Sequence, residues 1–150
     1  MNEQWRPVVG YEGVYSVSSE GRVRSEDRRV RFVSARGNES WRLKRGRVVP
    51  SQIVNSGYAV VHLQLDNSRI ARTVHSLVAG AFLGLRPLGY DVCHNNGDRL
   101  DNRASNLRYA TRTENHADKR LHGTHACGSQ IAQAKLKEQD IPRIRQFKGV

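Results

Sequence analysis

The first third of the chain alternates apolar and polar residues in the way that β-strands do. Apolar residues recur at every second position in VYSVS (14–18) and in GRVRS (21–25). Ser, Glu and Gly at 19–21 supply turn residues between these segments, so the pattern predicts a hairpin. RRVRFV (28–33) predicts a third strand, and residues 1–50 are therefore expected to form a small, basic, antiparallel β-rich module.

The middle of the chain changes from strand spacing to helix spacing. GYAVVHLQL (57–65) is the clearest strand pattern, and RIARTV (69–74) is predicted to pair with it. The next segment has apolar residues at helical spacing, and one face of the predicted helix is formed by Leu77, Val78, Ala81 and Phe82. Gly84 and Pro87 are expected to end this helix.

A strand, a long loop, a second strand and a helix are predicted next. DVC (91–93) and LRYA (107–110) indicate the strands, and the polar segment between them indicates a long connection. The helix is expected to run from about Thr113, as its capping residue, to Leu121. Residues 51–122 are therefore expected to form a second unit.

The last part of the chain is expected to contain a linker and one more helix. GTHACGSQ (123–130) has the composition of a linker, and a helix is predicted near residues 137–147. Residues 123–150 are accordingly assigned to a linker and a C-terminal helix. The expected fold class is α+β.

The charge of the chain indicates a polyanionic partner. Its 150 residues include 25 Lys and Arg against 14 Asp and Glu, and the net charge of +11 favours nucleic acid over a membrane surface. The longest apolar run, LVAGAFLGL (77–85), has nine residues and is too short to span a bilayer. No secretory signal is visible, and Cys93 and Cys127 do not make a disulfide framework, so we expect a protein of the cytoplasm.

Most of the positive charge lies between residues 22 and 47, where ten basic residues stand against three acidic ones. Strand alternation places Arg22 and Arg24 on one side, as it does Arg29 and Arg31. This pattern favours a surface that follows a phosphate backbone over a merely solvated face. The candidate DNA-binding residues of this segment are Arg22, Arg24, Arg28, Arg29, Arg31, Arg42, Lys44, Arg45 and Arg47. A second group flanks the long loop and consists of Arg99, Arg103 and Arg108.

The segment DVCHNNGDRLDNRASNLRYATRTEN (91–115) combines imidazole and carboxamide groups that suit phosphodiester chemistry. His94 ends the first predicted strand, and Asn115 lies near the start of the helix, so the two are expected to face each other. An imidazole can remove a proton from water near neutral pH, and an amide oxygen is a hard ligand for Mg²⁺. Asn106 is expected to tie the loop to the second strand and to hold the orientation of the imidazole.

These motifs resemble the HNH endonuclease family, in the branch found in phage and intron-borne homing enzymes. The resemblance rests on VHSLVAGAF (74–82), CHNNGDRLDN (93–102), SNL (105–107) and TEN (113–115). The N-terminal WRPVVGYEGVYSVSSEGRVRS (5–25) is similar to a short modular motif, associated with DNA binding, that often precedes such domains. The resemblance implies a ββα-metal fold and hydrolysis of double-stranded DNA in a bacterial or phage-infected cell.

The resemblance also implies roles for individual residues. His94 matches the general base, Asn106 the middle Asn of the catalytic site, and Asn115 the final metal-ligand position. The residue before the base is often an Asp ligand in the family, whereas here it is Cys93. Cys93 is either a thiolate ligand that would favour Zn²⁺, or a small buried residue that leaves Asn115 as the sole protein ligand. We favour the second interpretation, with Mg²⁺ as the expected ion and Mn²⁺ or Zn²⁺ as alternatives.

The expected function is that of a metal-dependent DNA endonuclease in which His94 activates water and the products are a 5′-phosphate and a 3′-hydroxyl. One such site per chain predicts a nickase that acts as a monomer or weak dimer, and no protein partner is implied. Two alternatives stay open. One is a non-catalytic DNA-binding protein that retains the fold, for which Cys93 is the best support, and the other is an RNA-binding protein without cleavage.

Other candidate groups have plainer explanations. A structural zinc site is disfavoured because the candidate ligands have a non-standard H-x-x-H-x-C spacing and few cysteines; they are His116, His122, His125 and Cys127. Trp5, Tyr11 and Tyr15 are expected to pack in a small core rather than to stack on bases. His75 is expected to be a packing residue at the start of its helix. AKLKEQDIPRIRQFKG (134–149) resembles the entry to a helix-turn-helix segment but ends before a recognition helix could form.

Overall fold

The structure is a computed structural model in which residues 2–65 and 68–123 are described. These residues form ten strands, all paired antiparallel, together with two α-helices and one 3₁₀ turn. The expected α+β class is confirmed, with a strand-rich N-terminal part followed by a strand–strand–helix unit. Neither of the described helices has the length and apolar character needed to cross a membrane.

The predicted N-terminal hairpin is confirmed. It belongs to a three-stranded sheet made of β1 (Trp5–Pro7), β2 (Tyr15–Ser18) and β3 (Val23–Ser25). Val17 lies directly opposite Val23, and both side chains are almost fully buried. The sequence pattern does not predict β1, because three residues that end in Pro7 show no alternation.

A second sheet consists of two strands only, β4 (Arg28–Val33) and β5 (Glu39–Lys44). β4 is the third strand that the sequence predicts. β5 is absent from the prediction because ESWRLK alternates only at Trp41 and Leu43, which is too short a run to indicate a strand. All six residues of β5 are exposed, so this hairpin presents its side chains to solvent.

The central strand pair and the helix after it are also confirmed. A third sheet joins β6 (Gln52–Ile53), β7 (Ala59–Leu65) and β8 (Ser68–Thr73), in that order. Helix α1 (Val74–Phe82) starts directly after β8 and buries one stripe of apolar side chains, formed by Val74, Leu77, Val78 and Ala79. Ala81 and Phe82, which the helical spacing assigns to the same face, are only partly buried against this core.

The strand–loop–strand–helix order predicted for the next segment is confirmed. It consists of β9 (Tyr90–His94), the 3₁₀ turn (Ala104–Asn106), β10 (Leu107–Thr111) and α2 (Arg112–Leu121). The prediction that Thr113 caps the helix is wrong. Thr111 is the cap, because its hydroxyl accepts from the Glu114 amide at 3.3 Å while the Glu114 carboxylate accepts from the Thr111 amide at 2.7 Å. This reciprocal pair is a capping box. Thr113 could not form one, because the residue three positions after it is His116 and not Glu or Gln.

One hydrophobic cluster connects the N-terminal strands to the rest of the described chain. Val17 and Val23 share it with Leu63, Val78 and Leu107. The core therefore crosses the predicted boundary between residues 1–50 and 51–122, and the domain bounds themselves stay a prediction. The predicted linker beyond Gly123, the helix near 137–147 and the segment that resembles a helix-turn-helix entry lie outside the described residues.

Candidate active site

His94 is the last residue of β9 and is only 8 % exposed. Its Nε2 lies 3.3 Å from the side-chain oxygen of Asn102, whose amide nitrogen donates to the Leu100 carbonyl at 3.0 Å. That second bond fixes which way the amide faces, because only its nitrogen can donate to a carbonyl. Nε2 must therefore carry the imidazole proton in this pair, which leaves Nδ1 as the nitrogen that can accept one.

Two further rings enclose the His94 imidazole. The ring centroid of His75 lies 5.3 Å from that of His94 in an edge-on arrangement, and that of Tyr58 lies 6.2 Å away in a stacked one. Tyr58 and His75 also contact each other, with centroids 4.9 Å apart. His75, which the sequence indicates as a packing residue, thus packs against the candidate base itself.

Burial keeps both imidazoles neutral near pH 7. It lowers the pKa of His75 from 6.5 to about 4, and the nearby His94 adds to this effect. Burial also lowers the pKa of His94, against the opposing influence of its bond to Asn102 and of the carboxylates of Asp98 and Asp101. A buried neutral imidazole is the protonation state that a general base requires.

Asn106 holds the shape of the loop. Its side-chain oxygen accepts from the Asn96 amide at 3.1 Å, and its side-chain nitrogen donates to the Asn96 side chain at 2.9 Å and to the Asp101 carbonyl at 2.8 Å. The expected tie between the loop and the second strand is therefore present. The side chain that bonds the imidazole is Asn102 and not Asn106, because Asn106 uses its polar atoms inside the loop.

Asn115 and His94 meet at one cleft, as their positions in the sequence predict. The cleft has a volume of about 60 Å³, and α2 contributes Asn115 and Asp118 to its lining while β9 contributes Cys93 and His94. Cys93 is 5 % exposed, and burial raises the pKa of its thiol. This arrangement agrees with Cys93 as a small buried side chain, although its assignment as a ligand stays a prediction.

The donor set of the cleft fits a hard divalent cation. Within residues 2–65 and 68–123, no group of three or more His, Cys, Asp and Glu side chains is arranged to hold a metal ion. Mg²⁺ needs no such group, since one or two protein oxygens and several waters or phosphate oxygens complete its coordination. Asn115 and Asp118 supply oxygen donors of this kind. Of the residues considered for a zinc site, His122 lines the cleft, His116 is exposed on α2, and His125 and Cys127 lie outside the described residues.

Three arginines in or next to the loop between β9 and β10 (residues 95–106, the active loop) all have partners in the protein. Arg103 bonds the Asp101 carboxylate at 2.7 Å, and this bond is the main reason why the pKa of Asp101 falls to about 2. Arg108 bonds Asp118 at 2.5 Å. Arg99 donates to the Ser56 carbonyl at 2.8 Å, and its guanidinium lies 5.3 Å from the centroid of the Tyr58 ring that packs against His94.

The N-terminal arginines fall on the sides that strand alternation predicts. Arg22 and Arg24 both lie against the ring of Trp5, at 5.8 and 4.3 Å. In β4–β5 the pairing register defines two faces. One face has Arg28, Val30, Arg42 and Lys44, and the other has Arg29, Arg31, Trp41 and Leu43. Acidic residues engage several of these arginines, in the pairs Arg22–Glu3, Arg24–Glu26, Arg31–Glu39 and Arg45–Asp27.

The aromatic residues divide between core and surface. Tyr15 is 6 % exposed and belongs to the core, with Tyr11 packed against it at a centroid distance of 6.0 Å. Trp5 instead lies under the guanidinium groups of Arg22 and Arg24, so the core prediction holds for the two tyrosines only.

Three residues of the site are missed by the sequence reasoning. Asn102 lies in the DNR stretch of the loop, but only the folded loop shows that it bonds His94. Tyr58 follows a turn glycine and gives no sign of chemistry in the sequence. Asp118 lies one helical turn after Asn115, and its spacing on the same face is the signal that could have revealed it.

The N-terminal turn contacts the active loop directly. The Ser19 carbonyl accepts from the Ala104 amide at 2.8 Å. A Cβ added to Gly21, which has φ +82°, would lie 2.9 Å from the Cβ of Asn102. The β2–β3 turn thereby supports the residue that bonds His94.

Comparison with known proteins agrees with this architecture. Residues 3–64 match the family described as the NUMOD4 motif, and residues 72–117 match the family described as HNH endonuclease. The first match reaches well beyond the segment 5–25 that carries the resemblance in the sequence, and it includes the hairpin β4–β5.

A curated relative and a solved structure span both parts. The DNA endonuclease I-HmuI of Bacillus phage SP01 is 29 % identical over 136 residues, which cover 91 % of this chain and 68 % of the relative. A solved structure described as DNA binding and cleavage by the HNH homing endonuclease I-HmuI superposes with a TM-score of 0.63 at 26 % identity, covering 97 % of this chain and 67 % of that one. The chain therefore carries a NUMOD4 motif followed by an HNH endonuclease domain, and its similarity to an HNH homing endonuclease spans both.

Proposed function

We propose that this chain hydrolyses a phosphodiester of double-stranded DNA in a metal-dependent reaction, with His94 as the general base. The observation that carries the proposal is the shared cleft, where a buried imidazole with a fixed tautomer lies beside Asn115. The relative and the solved structure, whose descriptions name a DNA endonuclease and DNA binding and cleavage, support DNA as the substrate.

The geometry suggests how the proton moves. Asn102 holds the proton of His94 on Nε2, so Nδ1 accepts a proton from a water molecule. The hydroxide that forms attacks phosphorus and the bond to the 3′ oxygen breaks. The leaving 3′ oxyanion takes a proton from solvent water, so the products are a 5′-phosphate and a 3′-hydroxyl, and His94 later releases its proton to solvent. Tyr58 and His75 pack against the imidazole and hold the orientation of its ring.

Asn115 is the residue proposed to hold the divalent ion. When bound, such an ion stabilises the negative charge that develops on the phosphate and on the leaving oxygen. Oxygen donors favour Mg²⁺, with Mn²⁺ as a close substitute, while Zn²⁺ would require the buried thiol of Cys93 to become a thiolate ligand.

The hairpin β4–β5 is proposed to provide much of the DNA affinity. A two-stranded antiparallel ribbon fits the major groove, and this one exposes basic residues on both faces. Within the described part of the chain no salt bridge engages Arg29, Arg42, Lys44 or Arg47, so their charges are available to phosphates.

The described part of the chain brings His94 and Asn115 together in a single cleft, and this leads us to propose a nickase that works as a monomer or as a weak dimer. The phage origin of the relative supports action in the cytoplasm of a phage-infected or bacterial cell. The alternative of a non-catalytic DNA-binding protein is favoured by one observation only, the presence of Cys93 where related enzymes often have an acid.

Nicking of a supercoiled plasmid separates these two functions. Wild-type protein should convert the plasmid to open circles with Mg²⁺ or Mn²⁺ and not with EDTA, and Asn115→Ala should lose this activity. Tight DNA binding without strand breakage in Mg²⁺, Mn²⁺ or Zn²⁺ would instead establish the DNA-binding alternative. A structured RNA tested alongside would reveal the RNA-binding alternative.

A further inference from the structure

The cleft lacks an acid at the position where related enzymes often have one. Cys93 occupies that position and is buried. A divalent cation held by Asn115 alone would find only neutral oxygen from the protein, and Mg²⁺ sites normally include at least one carboxylate. The inference that follows rests on the proposed function, because it concerns the same metal ion.

Asp118 places a carboxylate in the same cleft. It lies three residues after Asn115 on α2, so both side chains leave the helix on one face. Both line the cleft together with Cys93 and His94. The Asp118 side chain is 23 % exposed, which makes it accessible to an ion from solvent.

Arg108 fixes where this carboxylate lies. In the β9–β10 pair, Arg108 is directly opposite Cys93. The same arginine bonds Asp118 at 2.5 Å. The carboxylate is therefore held beside the strand position at which an acid on residue 93 would stand.

We propose that Asp118 supplies the metal-binding carboxylate that residue 93 lacks, and that it acts with the amide oxygen of Asn115. The ligand is a hard divalent cation of the Mg²⁺ and Mn²⁺ class, with waters and DNA phosphate oxygens completing its coordination. Arg108 remains a positioning residue, since it orients Asp118 and does not itself bind a cation.

The direct test measures Mn²⁺ binding by the full chain in the presence of a short DNA duplex. Binding is monitored through the electron paramagnetic resonance signal of free Mn²⁺. His94→Ala is used as the background throughout, so that cleavage does not consume the DNA. In this background Asp118→Asn should weaken Mn²⁺ binding by about tenfold or more. Loss of a group that only contacts a metal ligand already lowers metal affinity about 10- to 100-fold. Adding Cys93→Asp should restore binding, because it returns an acid to the cleft.

Arg108→Gln is the matched control, because it breaks the same ion pair but leaves the carboxylate in place. It should weaken Mn²⁺ binding less than Asp118→Asn does, because the carboxylate is still present although less well oriented, and circular dichroism should show that all variants are folded. The role of Asp118 would be refuted if Asp118→Asn bound Mn²⁺ as tightly as the His94→Ala parent does. It would also be refuted if Arg108→Gln lost as much Mn²⁺ affinity as Asp118→Asn. Failure of Cys93→Asp to restore binding would refute it as well.

These outcomes are distinct from failure of the proposed function. If the parent with intact Asp118 binds no Mn²⁺ and the wild type nicks no DNA, both proposals fall together. If the parent binds Mn²⁺, the wild type nicks DNA and Asp118→Asn changes neither property, only the assignment of Asp118 is wrong.

Discussion

Replacement of Asn106 by Ala tests whether the active loop is held by one buried side chain. Asn106 is 9 % exposed and makes three hydrogen bonds, one to the Asn96 amide, one to the Asn96 side chain and one to the Asp101 carbonyl. Each bond contributes about 1 kcal/mol net to stability. The expected loss in the free energy of unfolding is therefore about 3 kcal/mol.

The measurement is urea denaturation followed by circular dichroism, with unfolding free energies compared at equal m-values. Asn95→Ala is the matched control, because Asn95 is exposed and its side chain makes a single bond of 3.5 Å to the Ser105 carbonyl. This control should cost about 0.5 kcal/mol or less. A loss below about 1 kcal/mol in Asn106→Ala would refute the idea that its hydrogen bonds hold the loop.

Three further predictions follow from other contacts. The pKa of His75 is about 4 in the folded chain and 6.5 in the unfolded chain, so the unfolded chain takes up the proton first as the pH falls. Up to about 3 kcal/mol of the free energy of unfolding that is present above pH 6.5 should therefore be lost between pH 6.5 and 4. His75→Phe should reduce this loss in pH-dependent urea melts, and an unchanged pH profile would contradict the assignment. Gly21→Ala should lower the nicking rate more than Gly37→Ala. Both glycines have a φ of +82°, but a Cβ on Gly37 would meet no atom within 4 Å, whereas one on Gly21 would meet Asn102. Equal nicking rates would show that the β2–β3 turn does not support the loop. Arg29→Ala should reduce the slope of the logarithm of the DNA-binding constant against the logarithm of salt concentration by about one, as measured by fluorescence anisotropy titrations. An unchanged slope would show that Arg29 does not contact DNA phosphate.

The elements that the sequence predicts well are those whose alternation spans enough residues. β2 and β3 form one hairpin in which Val17 and Val23 face a buried layer, and the apolar residues of β7 are buried while β8 pairs with it as an exposed edge strand. β1 and β6 have three and two residues, which are too few to show a period. They exist because a longer neighbouring strand offers them backbone hydrogen bonds.

The candidate base and the candidate metal ligand are predicted better than the residues that contact them. His94 and Asn115 are suggested by their chemistry and by family resemblance, and the structure brings them to one cleft. Asn102 and Tyr58 contact the imidazole through the folding of a loop and through packing between sheets. No local pattern encodes such contacts, because the partners are distant in sequence or share a loop without periodicity.

The helix cap shows a case in which the sequence contains the answer. Thr111 and Thr113 both precede apolar-poor helical sequence, but only Thr111 has a Glu three residues later. The T-x-x-E spacing identifies the capping box, and the structure has both of its hydrogen bonds.

The most direct test of the account is plasmid nicking by His94→Ala under conditions where its DNA affinity is measured in parallel. We predict that this variant binds DNA like the wild type but loses nicking in Mg²⁺ by about 100-fold or more, because it lacks the group that accepts the proton of water. His62→Ala, an imidazole on β7 outside the cleft, should retain full activity. Wild-type nicking by His94→Ala, in folded protein that binds DNA normally, would contradict the assignment of His94 as the general base.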